Sequence, residues 1–215
     1  MSIEYLCFGI MSNDIMGCAD EYVTLRQGMV AEGFYSEKRS KFLAFALHVD
    51  SEEKAKEVLT SYRKRFFDAR HVCYAYVVGW GDSAVSRAND DGEPSNSAGK
   101  PILGQIVKQE LTNVIVIVVR YFGGVKLGTG GLMVAYRTAA SDALEHAETE
   151  RRIVEETVDY SFPYVMMNDV MRVIKEMKPR IVDQKFDNTC QISLAIRKSE
   201  AQRLRDRLAN LAFSD

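Results

Sequence analysis

The stretch that most constrains this chain runs from Asn113 to Gly131 and reads NVIVIVVRYFGGVKLGTGG. Val114–Val119 is a continuous apolar run rich in β-branched residues, and its length and composition predict a buried strand covered on both faces rather than a helix segment. Arg120, Tyr121 and Phe122 follow, then a loop that holds Gly123, Gly124, Gly128, Gly130 and Gly131, with Lys126 and Thr129 as its polar members. Beyond it, Leu132, Ala135, Tyr136, Ala139, Ala143, Leu144 and Ala147 carry the spacing of one helix face. A buried strand thus passes through a glycine loop into a helix. Helix N-termini expose unpaired N–H groups and a partial positive charge, so the arrangement suits phosphate or carboxylate. The known phosphate templates do not match: Thr129-Gly130 follows Gly128 where a Walker loop needs Lys-Ser/Thr, and a dinucleotide fingerprint started at Gly128 would put its third glycine at Met133. A tight turn with close helix packing explains the same glycines without any ligand.

From the start of the chain, residues 1–18 are set apart as an extension of no assigned role. Strands are predicted over Tyr22–Val30 and Phe42–Val49, with Asp50 and Glu53 as a capping box for a helix whose apolar face is Ala55, Val58, Leu59, Tyr62 and Phe66. Val72–Val78 is the next strand. Gly79–Lys100 reads as one long turn-rich piece, and a helix starts near Pro101 and runs to about Glu110. After the charged junction Glu148–Arg152, strands at Val154–Phe162, Arg180–Phe186 and Cys190–Ile196 alternate with helices over Tyr164–Met177 and from Ser199, with Asp187-Asn188 as a hairpin turn. The class is α+β in two domains, 19–150 and 151–215.

Charge narrows the function. Residues 19–147 hold sixteen Lys and Arg against sixteen Asp and Glu, and residues 148–215 hold twelve against twelve. A uniformly basic coat for nucleic acid is excluded, so any polyanion contact uses a local cluster. No apolar run is long enough to span a bilayer as a helix, and the first residues lack the basic start of a signal peptide, so the cytoplasm is expected. Cys7, Cys18, Cys73 and Cys190 are scattered without metal or disulfide spacing and read as free thiols.

Three places offer chemistry. His71 and Cys73 share one strand face, which fits either a nucleophile with its base or a buried thiol beside a hydrogen-bonded histidine. Asp90, Asp91 and Glu93 put three carboxylates around Gly92, which suits a solvated turn better than a metal, because calcium-loop and zinc spacings are absent. Ser97–Lys100 precede a second helix start, another possible anion-binding end. Arg120, Lys126, Lys100, Ser97, Thr129, Gly130 and Gly131 are the expected anion- or nucleic-acid-binding residues, with Arg120, Lys126, Lys100 and the N–H groups of Thr129 and Gly130 in one cleft. Asp90, Asp91, Glu93 and Tyr121 form a loop of possible function.

Four blocks in order, SEKRSKFLA (36–44), HVCYAYVVG (71–79), DDGEPSNSAGKPIL (90–103) and RYFGGVKLGTGGL (120–132), resemble the IMPACT family, also called the YigZ family. Asn96 and Ser97 stand where members usually carry Gly-Thr, and Lys100 where Arg is usual. The resemblance implies a first domain similar to the second domain of ribosomal protein S-five and a ferredoxin-like second domain, here without its last strand. It also implies a non-enzymatic binding protein linked to translation through RNA, the ribosome or a protein partner, since the family's eukaryotic members regulate translation during starvation. No catalytic residue, metal or cofactor is expected on that reading. The alternative is an enzyme or sensor for a phosphorylated small molecule at the glycine loop.

Overall fold

A computed structural model describes residues 20–187 and 189–211. Residues 1–18, with Cys7 and Cys18, lie outside the described residues, as does Asn188 of the expected hairpin turn. The chain divides into two compact units, one covering Tyr22–Arg151 and the other Arg152 onward together with Asp20 and Glu21. The fold is α+β, as its sequence pattern predicts.

The first unit is built from β1 (Glu21–Leu25), β2 (Val30–Glu37), β3 (Ser40–His48), α1 (Glu52–Arg65), β4 (His71–Val78), β5 (Val85–Asn89), α2 (Gly99–Lys108), β6 (Val114–Tyr121), α3 (Gly128–Glu145) and β7 (Thr149–Ile153). Five strands form one antiparallel sheet in the order β2-β3-β6-β4-β5. The apolar run is its central strand. Val114, Val116 and Val118 point to the face covered by α2 and α3, where they meet Phe42, Ile102, Ile106 and Tyr136. Ile115, Ile117 and Val119 point the other way, among Leu59 and Tyr62 of α1 and Phe45 and Tyr76 of the sheet. All six are fully buried, and side chains of this size contribute roughly 1.5–3 kcal/mol each when removed from water. A strand with two such faces has no room for polar residues until Arg120.

Local details depart from the sequence pattern. The expected strand 22–30 ends at Leu25, because Gly28 at φ +82° turns the chain before β2 begins. The helix cap is Ser51, whose hydroxyl accepts from the Lys54 N–H at 3.1 Å, rather than Asp50. The turn-rich piece contains β5, which pairs with β4 from Val78↔Val85 to Tyr74↔Asn89.

The second unit holds β8 (Glu155–Pro163), α4 (Met167–Met177), β9 (Arg180–Lys185), β10 (Thr189–Arg197) and α5 (Lys198–Leu211), with antiparallel sheet order β8-β10-β9. Its core joins Val158, Phe162, Val170, Ile174, Leu194, Leu204 and Leu208. Among the described residues the elements of this unit run β-α-β-β-α. Asp20 closes the start of α5: one carboxylate oxygen accepts from the Ser199 N–H at 2.9 Å, and the side-chain hydrogen bond from Ser199, ahead of this backbone bond, lowers the Asp20 pKa.

Glycine substitutions test the packing with opposite signs. A Cβ on Gly33 would lie 2.3 Å from the backbone N of Ala143, where β2 meets α3, whereas a Cβ on Gly104 in α2 meets nothing within 4 Å. Gly33→Ala is expected to lose roughly 1–3 kcal/mol of stability, and Gly104→Ala to gain up to about 1 kcal/mol, both read from denaturant midpoints.

Candidate functional site

The loop after β5 begins with Asp90, whose side chain turns back onto the start of α2. One oxygen accepts from the N–H groups of Ala98 and Gly99 at 2.9 and 2.8 Å, and the other from Asn96 at 2.8 Å. The first turn of α2 therefore already holds an anion, supplied by the protein itself. The expected anion-binding end at Ser97–Lys100 is corrected accordingly: Ser97 is buried and its hydroxyl donates to the Pro94 carbonyl at 2.6 Å. Asp91 fastens the loop sideways, accepting from the Val72 N–H and from Arg63, both at 2.7 Å.

Glu93 goes inward. Its side chain is 3% exposed, and one oxygen accepts from Arg120 Nη1 at 2.5 Å and from the Tyr136 hydroxyl at 2.8 Å. Arg120 is as deeply buried, with its guanidinium carbon 5.6 Å from the Phe42 ring centre and 5.5 Å from that of Phe122. The Arg120 Nε has no hydrogen-bond partner. Arg120 is thus one half of a buried ion pair, not an open contact for a ligand. The reading of Asp90, Asp91 and Glu93 as a solvated turn is corrected too, since a turn composition says nothing about where each side chain points. The three carboxylates diverge to separate partners, and among the described residues no three His, Cys, Asp or Glu stand as metal ligands would.

His71 and Cys73 also face this loop, each bonded to one of its carbonyls: His71 Nδ1 donates to Asp91 O at 2.8 Å, and the Cys73 thiol to Asp90 O at 3.0 Å. The Tyr136 hydroxyl lies 3.3 Å from the same sulfur. Burial pushes the Cys73 thiol well above its ordinary pKa, with the neighbouring Glu93, Asp91 and Asp90 charges acting in the same direction. A nucleophile needs the opposite shift.

What remains open lies on α3 and on the outer side of α2. α3 begins at Gly128 with no side chain capping it and no acidic residue in its first turn. Gly124 and Gly128 adopt φ +91° and +73°, which only glycine takes without strain. Gly123 is held for a different reason: a Cβ there would sit 2.1 Å from the Arg39 carbonyl carbon, so the glycine loop lies directly on the β2–β3 turn. Lys126, Thr129 and Gly130 are exposed, Gly131 is half-buried, and the Tyr121 hydroxyl donates to Asp68 at 2.9 Å. An open groove of about 540 Å³ runs between α2 and α3, lined by Lys100, Lys108, Arg137, Asn96, Met133, Gln105, Gly104 and Pro101. Lys100 faces this groove; Arg120, Lys126 and Thr129 are not among its lining residues. Lys108 and Arg137 were not singled out in the sequence, where each reads as one more charge on a solvated helix face. Only their coincidence across two packed helices distinguishes them.

The ion pair has a measurable consequence. Glu93→Ala leaves the Arg120 charge buried and uncompensated, and is expected to cost roughly 3–5 kcal/mol, whereas Glu93→Leu combined with Arg120→Met restores an apolar filling and recovers most of that loss. Chemical denaturation of the three proteins reads the difference.

The chain has clear relatives. Residues 38–144 match the model of the Impact N-terminal domain. The IMPACT family member YigZ of Escherichia coli is 30% identical over 176 residues, covering 81% of this chain and 86% of YigZ. A crystal structure of a hypothetical protein superposes with a TM-score of 0.68 at 27% identity, covering 91% of this chain and 93% of that one. The two-domain translational regulator Yih1 is 25% identical and covers 66% of this chain and 56% of its own, but its TM-score of 0.38 is too low to bear on architecture. On that match and that coverage, the chain belongs to the IMPACT family.

Proposed function

We propose that this protein is a non-enzymatic binding protein that acts in translation or its regulation, through contact with RNA, the ribosome or a translation-related protein. Family membership supports the link to translation. The observation that carries the non-enzymatic part is the fate of the nominated reactive groups. Asp90 caps α2, Asp91 ties the loop to β4 and α1, Glu93 neutralises Arg120, and Cys73 is held protonated. General acid–base or nucleophilic chemistry needs such groups aimed at a substrate with pKa values near the working pH, and here each is aimed at the fold. Lys100, Lys126, Thr129, Gly130 and Gly131 remain the proposed anion contacts. Among the described residues no helix is long and apolar enough to cross a membrane, and the proposed location is the cytoplasm.

A second reading has one observation in its favour. The uncapped, exposed start of α3 keeps free N–H groups that suit the phosphate of a small metabolite. Co-sedimentation with purified ribosomes, beside a thermal-shift screen of nucleotides and sugar phosphates, separates the two. Ribosome association with no metabolite shift supports the binding protein. A large shift from one metabolite, with no ribosome association at low salt, overturns it.

The thiol supplies an independent check. Because the folded pKa of Cys73 is raised, its thiolate does not form near neutral pH, and reactivity appears only as the pH climbs far above the ordinary thiol range or the fold opens. Mapping iodoacetamide adducts in the native protein at neutral pH is expected to find Cys73 unmodified, and to find it labelled in denaturant. Rapid native labelling would restore the nucleophile reading.

A further inference from the structure

The groove between α2 and α3 has a one-sided composition. Lys100, Lys108 and Arg137 line it with Asn96 and Gln105, and among the described residues no carboxylate does, although residues 19–147 carry sixteen basic and sixteen acidic residues. Neutral proteins reach such a face only by placing the acids elsewhere, and here Asp90, Asp91 and Glu93, from the loop that leads into α2, turn to the fold. On α2 the lining positions 100, 104 and 108 recur every four residues, so Lys100 and Lys108 are two turns apart, about 12 Å along the axis. Met133 and Arg137 are likewise one turn apart on α3, and Thr129 and Gly130 lie one turn before Met133. The same face therefore runs on to the uncapped end of α3. Gly104 and Gly130 leave open space where a Cβ would stand, which keeps the groove floor accessible to a chain.

We propose that the α2–α3 groove holds the phosphate backbone of a single strand of RNA, with Lys108 and Arg137 as principal phosphate contacts and Lys100 beside them; this rests on the binding-protein reading. Charge complementarity selects an anionic occupant. A repeating anion matches cations spread over two helical turns better than one compact phosphate does. Helices packed in contact have axes about 8–10 Å apart, so the groove between them admits one strand and not a duplex. No aromatic residue lines it, which removes base stacking as a source of sequence preference. Backbone contact of this kind positions a strand without reading its bases.

The test uses the full chain and two labelled probes, an oligouridylate and an oligoadenylate, titrated by anisotropy between about 50 and 200 mM salt. The wild type is expected to bind both with similar affinity. Each single-strand phosphate contact adds roughly 0.7 to the slope of log affinity against log salt, so Lys108→Ala with Arg137→Ala lowers that slope by about 1.4. Both residues are exposed, so folding is not at issue. Lys185→Ala, on the second unit, leaves affinity and slope unchanged. Wild-type binding that the double variant retains in full overturns the groove while leaving RNA binding in place. Displacement by polyglutamate, with no RNA affinity at low salt, overturns the RNA assignment in favour of an acidic protein. In either case ribosome co-sedimentation decides the broader reading separately.

Discussion

The structure of the first unit depends on a carboxylate carried into the core. Removing Glu93 and Arg120 from water is costly, and their attraction offsets that cost only if the remaining valences are met. Here Tyr136 supplies a second hydrogen bond to Glu93 and the Phe42 and Phe122 ring centres lie 5.6 and 5.5 Å from the guanidinium carbon, while Arg120 Nε is left without a partner. The pair joins the end of the central strand to the acidic loop. That loop in turn caps α2 through Asp90 and binds β4 through Asp91, His71 and Cys73. The position of α2 against α3 is therefore set partly by buried polar contacts and partly by the apolar packing of Ile102 and Ile106.

This arrangement also shapes the surface. A chain with balanced charge acquires a local field only by segregation, and the loop achieves it by drawing two carboxylates onto backbone N–H groups and a third into the core. The outer sides of α2 and α3 keep their lysines and arginine. That placement supports the proposed anionic partner.

Much of this was legible in the sequence. A β-branched run followed by a glycine loop specified the central strand and α3, because burial on both faces leaves a period-free apolar signal. The second unit was readable from alternation and helical spacing alone. β5 was not, since its five residues VSRAN carry no buried face and only the pairing with β4 makes them a strand. Arg120 was misplaced for a related reason: its partner Glu93 is 27 residues away, and a charge beside a glycine loop looks like a ligand contact until its neighbour across the core is known. The acidic turn misled in the same manner. Asp-Gly and Glu-Pro correctly announced a turn, but the destination of each carboxylate is a tertiary property. The groove depends on two helices meeting, and no window of sequence contains both.

Native-state hydrogen exchange measures most directly whether the acidic loop is a structural clasp. The amides of Asn96, Ala98 and Gly99, which donate to Asp90, and of Val72, which donates to Asp91, are the reporters. If the clasp holds, they exchange only with the opening that also exposes the amides of β6, and so show similar protection. Exchange of these four amides at the rate of unprotected loops, while β6 stays protected, would contradict it.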